Sequence, residues 1–162
     1  MKVCKFGGSS LANAEQIRKV CDIMLSDPDR RVMVVSAPGK RVSEDIKVTD
    51  LLIALANAII SGYDGERELG DIMNRFSDIT SELDIHTDIL VRIEQDLRGR
   101  MCIDCSNSLK FMDSMKAAGE DNCAKLVADY LNSIGKMAAY FDPREAGMML
   151  SEEFGNAQVL PE

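Results

Sequence analysis

A lysine, two glycines and two hydroxyl residues follow one another near the start of the chain, in the stretch Lys5-Phe6-Gly7-Gly8-Ser9-Ser10. Glycines let a backbone approach phosphate oxygens closely, and the N–H groups of such a loop favour an anion. A neighbouring lysine adds a point charge for a phosphoryl group. These residue types therefore favour phosphate binding. A tight turn between a strand and a helix, with Lys5 in solvent, is an alternative that the pattern leaves open.

The two common phosphate-binding motifs do not account for this stretch. The dinucleotide-binding pattern G-x-G-x-x-G is absent from the sequence. The later stretch VVSAPGKR resembles the P-loop motif only at Gly39 and Lys40. Val34 occupies the position of the first P-loop glycine, and Arg41 replaces the required Ser or Thr. A phosphate site here would belong to a different fold.

The elements that would position the glycine loop form a β-α-β unit. Residues 2–6 predict a strand, and a helix follows with Asn13 as its N-cap. The apolar run 32–35 predicts a second, parallel strand that is buried on both faces. Ligands bind beyond the carboxyl ends of parallel strands, which is where the glycine loop lies.

The remaining sequence is predicted to be mostly helical, with few strands. Thr49 can cap a helix at 50–60. Further helical segments are predicted near 66–80, 87–98, 106–117 and 120–134, the last of which stops at Gly135. Short strands are predicted at 138–141 and 158–160. The expected fold class is α/β, with a helical insert at about 65–118.

Composition and charge limit the partners of the chain. Its 162 residues fit one ordinary domain, and the net charge of −8 repels nucleic acid and anionic membranes on average. Neither partner is expected, and an anionic ligand would need a local positive charge or a metal ion. Met1 is followed directly by a strand, and no apolar run reaches membrane-spanning length. A cytoplasmic location with reduced cysteines is therefore expected.

Cys102 and Cys105 form a C-x-x-C pair. No second pair or histidine lies nearby to complete a zinc site, so we predict no metal ligands. The pair is interpreted as two small side chains on one face of a helical region.

Four stretches together resemble the aspartate kinases, which belong to the amino acid kinase family. They are KFGGSS at the first strand, VVSAPGK at the second, VTDLL at the next helix and AGE before a later helix. The resemblance covers the whole chain but only part of the family domain. It implies a three-layer α/β/α sandwich around a mainly parallel sheet. Residues 1–162 would form the N-terminal, substrate-binding lobe, truncated before the nucleotide-binding half.

The resemblance also implies roles for the residues at the glycine loop. Lys5 resembles the lysine that contacts the transferring phosphoryl group. Gly7, Gly8 and Ser9 resemble the loop beneath the phosphates of ATP, with Ser9 at a position where many members have Thr.

Three further residues resemble the substrate side of the family site. Ser36 resembles a residue near the substrate, while Thr49 and Glu120 resemble the pair that holds aspartate, with Glu120 accepting the substrate ammonium. The structural alternatives are an N-cap role for Thr49 and a position in the first turn of a helix for Glu120.

The implied activity is ATP-dependent phosphorylation of the L-aspartate side chain to 4-phospho-L-aspartate, the first step towards lysine, threonine and methionine. A free carboxylate has a pKa of about 3.9 and needs no general base at neutral pH. Lys5, loop amides and Mg²⁺ would stabilise the developing charge. Because the nucleotide-binding half is missing, activity is expected only in a longer chain.

Two alternatives to this function remain open. The chain could be an inactive stand-alone lobe that acts as a binding or interaction module, or part of a kinase for another amino acid. A truncated sheet would expose an edge or apolar surface, so homo-oligomerisation is expected.

Overall fold

The computed structural model describes residues 1–161 and contains the expected β-α-β unit. Strand β1 spans Lys2–Lys5, helix α1 spans Ala14–Leu25, and strand β2 spans Arg30–Val34. The two strands pair in parallel, with Lys5 opposite Val34 at their carboxyl ends. The Phe6 N–H donates to the Val34 carbonyl at 2.9 Å, so the glycine pair begins directly where this pairing ends.

Helix α1 begins and packs as its sequence predicts. The Asn13 side chain accepts a hydrogen bond from the Gln16 N–H at 3.0 Å, which satisfies a donor that the first turn leaves free. The apolar stripe of α1 is buried against the core and comprises Ile17, Val20, Cys21 and Met24. The predicted N-cap is confirmed.

Four further helices complete the described part of the chain. They are α2 at Val48–Ile60, α3 at Glu66–Glu82, α4 at Ile89–Met101 and α5 at Ser108–Ser133. Helix α2 packs against both α3 and α5, and α4 packs against the same two helices. The core lies among these helices, α1 and one face of the sheet. None of these helices is both long and apolar enough to cross a membrane.

The predicted helices at 106–117 and 120–134 form one helix, α5, so the prediction of a break between them was wrong. The glycine at the supposed break, Gly119, packs against Ala37 and Leu52. An added Cβ would lie 2.6 Å from the Ala37 Cβ, so close packing accounts for this glycine. Helix α5 ends before Gly135, whose φ of 77° is readily adopted only by glycine.

The prediction that the second strand is buried on both faces was also wrong. Met33 and Val35 pack against the core, but Val32 and Val34 are 39% and 47% exposed. Alternate residues of a strand point to opposite faces. Residues 1–161 therefore cover one face of the two-stranded sheet.

The two strands predicted near the end of the chain do not join this sheet. At 138–141 no strand forms, and the Asn132 side chain bonds both the N–H and the carbonyl of Ala138, each at 3.0 Å. At 158–160 there is a single antiparallel bridge between Leu150 and Val159. The mixed α/β class is confirmed, with two paired parallel strands in the described residues.

Candidate active site

The loop that follows β1, residues 6–12, carries the phosphate-binding candidates. Its residues Gly8–Leu11 form a short 3₁₀ helix, preceded by Gly7 in an extended conformation. The Lys5 side chain is exposed, and its Nζ lies 3.8 Å from the position that a Cβ on Gly7 would occupy. The lysine ammonium group thus lies beside the glycine pair.

A second loop, residues 35–47, follows β2 and touches the first loop through two glycines. The Gly39 N–H donates to the Gly8 carbonyl at 2.8 Å. A Cβ on Gly39 would lie 2.6 Å from the Gly8 carbonyl carbon and 2.8 Å from the Ser9 nitrogen. A Cβ on Gly8 would lie 2.8 Å from the Ala37 carbonyl oxygen. Only glycine fits at this contact, which we call the glycine junction.

The second loop also meets the helices that carry the substrate-binding candidates. Its Pro38 carbonyl accepts a hydrogen bond from the Val48 N–H at 3.1 Å, directly before Thr49. Ala37, directly after Ser36, packs against Gly119, directly before Glu120. The residues next to Ser36, Thr49 and Glu120 in the sequence therefore either belong to the second loop or contact it.

The structural alternatives for Thr49 and Glu120 are excluded. Helix α2 begins at Val48 with Lys47 at its N-cap, so Thr49 lies inside the first turn and does not cap it. Glu120 lies in the middle of α5 and not in the first turn of a helix. An N-cap role therefore does not explain Thr49, and a first-turn position does not explain Glu120.

Five candidate side chains have unused hydrogen-bonding groups. Within the described residues, no hydrogen bond or ion pair involves the side chains of Lys5, Ser9, Ser36, Thr49 and Glu120. The residue after Glu120 behaves differently, since Asp121 binds Arg100 at 2.8 Å and Lys125 at 3.0 Å. Unpaired polar groups around the glycine junction are free to bind a ligand.

The buried Arg75 of α3 is a functional candidate that the sequence patterns did not predict. Its side chain is 3% exposed and donates to the carbonyls of Ala12 and Gly39 and to the carboxylate of Asp45. Its position could have indicated this, because a charged residue stands between Ile72 and Ile79 in the apolar stripe of α3.

Asp45 links the second loop to two arginines. Arg41 contacts its Oδ2 at 2.9 Å, and Arg75 contacts the same oxygen. The hydrogen bonds from Arg41, with a smaller contribution from Arg75, hold the pKa of Asp45 well below its usual range. Asp45 is therefore a stable negative partner for the buried guanidinium.

Cys123, which is close to Glu120, does not offer a reactive thiol to this site. Burial is the main cause that raises the pKa of Cys123, and the nearby Glu120 charge adds to it. Cys102 directly follows α4 and Cys105 lies in the connection to α5, so the prediction that both lie on one helix face was wrong. Both are free thiols.

Comparisons with known proteins agree with this architecture. The sequence pattern of the amino acid kinase family matches residues 1–160, and the chain therefore belongs to that family. More specifically, it is 46% identical to aspartokinase 3 of Bacillus subtilis over 162 residues. That alignment covers 100% of this chain and 36% of the relative, so the chain spans about a third of that protein.

Solved structures extend the comparison to the fold. E. coli aspartokinase III in complex with lysine and aspartate matches with a TM-score of 0.77 and 28% identity, over 97% of this chain and 34% of that one. The same enzyme with aspartate and ADP also gives a TM-score of 0.77, with 27% identity over the same shares. The expected resemblance to the N-terminal part of aspartate kinases, and the α/β fold that it implied, are confirmed.

Proposed function

We propose that this chain is the aspartate-binding lobe of an aspartate kinase. Within a longer protein it would take part in phosphoryl transfer from ATP to the side-chain carboxylate of L-aspartate. The observation that carries the proposal is the set of unpaired polar side chains around the glycine junction, on elements that meet at the carboxyl ends of two parallel strands. The likeness to aspartokinases supports the same substrate.

We infer that the phosphates of ATP would lie beside the glycine junction, at the loop of Gly7, Gly8 and Ser9, because the junction itself is closed by backbone contacts. Glycines at this place let backbone N–H groups approach phosphate oxygens, and the Lys5 ammonium lies beside them. In a chain with a net charge of −8, Lys5 supplies a local positive charge for an anionic ligand. Bound ATP would supply the phosphoryl group, while Lys5 and the loop would orient it and offset its charge.

The substrate side needs binding groups and no base. The aspartate carboxylate is already ionised at neutral pH, so it can attack without a general base. The unpaired Glu120 side chain is suited to accept hydrogen bonds from the substrate ammonium group. Thr49 and Ser36 offer hydroxyls that can donate to substrate oxygens. Positioning the nucleophile in line with the phosphoryl group would provide much of the acceleration.

The Mg²⁺ expected from the sequence would accompany ATP, and Mg²⁺ commonly binds through substrate phosphates and only one or two protein carboxylates. Among the residues that the structure describes, no group of three His, Cys, Asp or Glu side chains could hold a metal ion. The roles that we assign to this lobe are those of Lys5, the loop amides and substrate positioning.

Calorimetry with aspartate and with ATP tests the proposal. We expect the chain of residues 1–162 to bind aspartate and not ATP, and the complete protein to bind both and to form 4-phospho-L-aspartate. Glu120→Gln should weaken aspartate binding at least about tenfold, since it removes a charge-assisted hydrogen bond. Glu82→Gln, at an exposed carboxylate at the end of α3, is the matched control and should bind normally.

The other outcomes separate the alternatives. Binding of neither ligand by the folded complete protein would contradict the kinase assignment and favour an interaction module. Preference for a different amino acid would retain the phosphotransferase but change the substrate. Identical aspartate affinity in Glu120→Gln and in the unmodified chain would remove Glu120 from the site.

A further inference from the structure

The Arg75 side chain is a buried charge at the point where three segments meet. It extends from α3 to the end of the first loop, at Ala12, and to the second loop, at Gly39 and Asp45. Burying a guanidinium is costly unless it is paired, and Asp45 supplies the opposite charge. The Arg75 Nε–H still has no partner among the described residues. Such an incompletely satisfied ion pair is a weak source of stability, which favours a functional reason for its position.

The contacts of Arg75 fix the backbone of both loops. Its Nη2 group donates to the Ala12 carbonyl at 3.2 Å and also to the Gly39 carbonyl. Both backbone polar groups of Gly39 are therefore bonded, because its own N–H donates to the Gly8 carbonyl at 2.8 Å. One planar guanidinium thus connects the end of the first loop, at Ala12, and the second loop, at Gly39, to α3. A lysine at this position has a single ammonium group and lacks the flat fork that reaches several acceptors.

We propose that Arg75 is a positioning residue for phosphoryl transfer. It holds the first and second loops in register, so that Lys5 and the loop amides meet the phosphates in a fixed geometry. Its effect on turnover rests on the proposed function, whereas its effect on loop order does not. Arg75 is not assigned to any contact with substrate or nucleotide.

Arg41 provides a matched control on the same carboxylate. It binds Asp45 at 2.9 Å and Asp78 at 3.0 Å, but it is 40% exposed and contacts neither Ala12 nor Gly39. If Arg75 acted only by neutralising Asp45, replacement of either arginine would have a similar effect. If it acts through the two carbonyls, only the Arg75 variants should disturb the junction.

Amide hydrogen exchange and steady-state kinetics of the complete protein test the inference. In Arg75→Lys, which retains the charge, we expect the Gly39 amide to exchange at least tenfold faster than in the unmodified protein. We expect kcat to fall at least tenfold while the KM for aspartate changes less than threefold. Arg41→Met should leave the Gly39 amide and kcat within twofold of the unmodified protein. Arg75→Gln is the second variant should Arg75→Lys fail to fold.

The two readouts separate this inference from the proposed function. If the unmodified protein does not phosphorylate aspartate but Gly39 loses protection in the Arg75 variants only, the function fails and the loop-positioning inference stands. Unchanged exchange and unchanged kcat in Arg75→Lys would overturn it. Equal losses in Arg75→Gln and Arg41→Met would also overturn it, because both variants remove a positive charge beside Asp45 and would show that only its neutralisation matters.

Discussion

Replacing Gly39 by alanine adds one methyl group at the tightest backbone contact of the site. The new Cβ would lie 2.6 Å and 2.7 Å from the carbonyl carbon and oxygen of Gly8, and 2.8 Å from the Ser9 nitrogen. Ordinary contacts of this kind begin at 3.4 Å, and all three neighbours are backbone atoms that no rotamer change can move. The two loops must therefore separate by about 0.8 Å.

This separation has a cost in stability and a cost in rate. Overpacking a well-packed contact typically costs about 1–3 kcal/mol, and weakening the Gly39–Gly8 hydrogen bond adds about 1 kcal/mol. A domain with an ordinary stability of about 5–15 kcal/mol stays folded after that loss. A displacement of about 1 Å in a catalytic group can cost about 100-fold in rate. We expect the kcat of Gly39→Ala to fall by about that factor.

The assay compares Gly39→Ala with a matched glycine-to-alanine change elsewhere. Gly70 lies inside α3 with no atom within 4 Å of an added Cβ, so Gly70→Ala should stabilise the helix by about 0.5–1 kcal/mol and leave kcat unchanged. Urea unfolding gives the stabilities, and a coupled assay of ADP release by the complete protein gives the rates. A folded Gly39→Ala with unchanged turnover would refute the view that the glycine junction positions catalytic groups.

Three further predictions concern other parts of the molecule. Lys5→Ala should lower kcat at least about 100-fold in the coupled assay without changing the circular dichroism spectrum, because Lys5 is exposed and makes no ion pair with other described residues. Asp45 has a lowered pKa in the folded protein, so its ion pairs add stability above its unfolded pKa of about 3.9 and lose it as the pH falls. The difference in the free energy of unfolding between the unmodified protein and Asp45→Asn should therefore be largest near pH 7 and shrink below about pH 4. With a thiol reagent, the exposed Cys102 should react rapidly, whereas Cys21, whose pKa burial raises to about 12, and the buried Cys123 should react only after unfolding.

The features that local sequence chemistry controls were predictable. Asn13 caps α1 because its short side chain can accept from the Gln16 N–H, and that requirement depends on residues only three positions apart. The helices of the later part are recognisable because apolar residues recur at helical spacing. The glycine pair after β1 is recognisable because few other residues serve at a close backbone approach.

The features that depend on distant partners were not predictable. Gly119 looked like a helix break, but its role is to admit Ala37 and Leu52, which are far away in the sequence. The apolar run of β2 gave the strand but not its burial, since burial depends on what covers each face. Asp45 and Arg75 are separated by 30 residues, and neither carries a local signal for the other.

The helical part of the chain is therefore not separate from the candidate site. Helix α5 carries Glu120 and presses Gly119 against the second loop, while α3 supplies Arg75 to the two carbonyls that hold both loops. Two short strands with one covered face cannot fix loops by themselves, since a small sheet needs packing partners for stability. If the junction positions the phosphates, substitutions in α3 that shift Arg75 should lower kcat even though no residue of α3 is assigned to ligand binding. Deleting the helical segments would then remove the geometry of the site as well as part of its core.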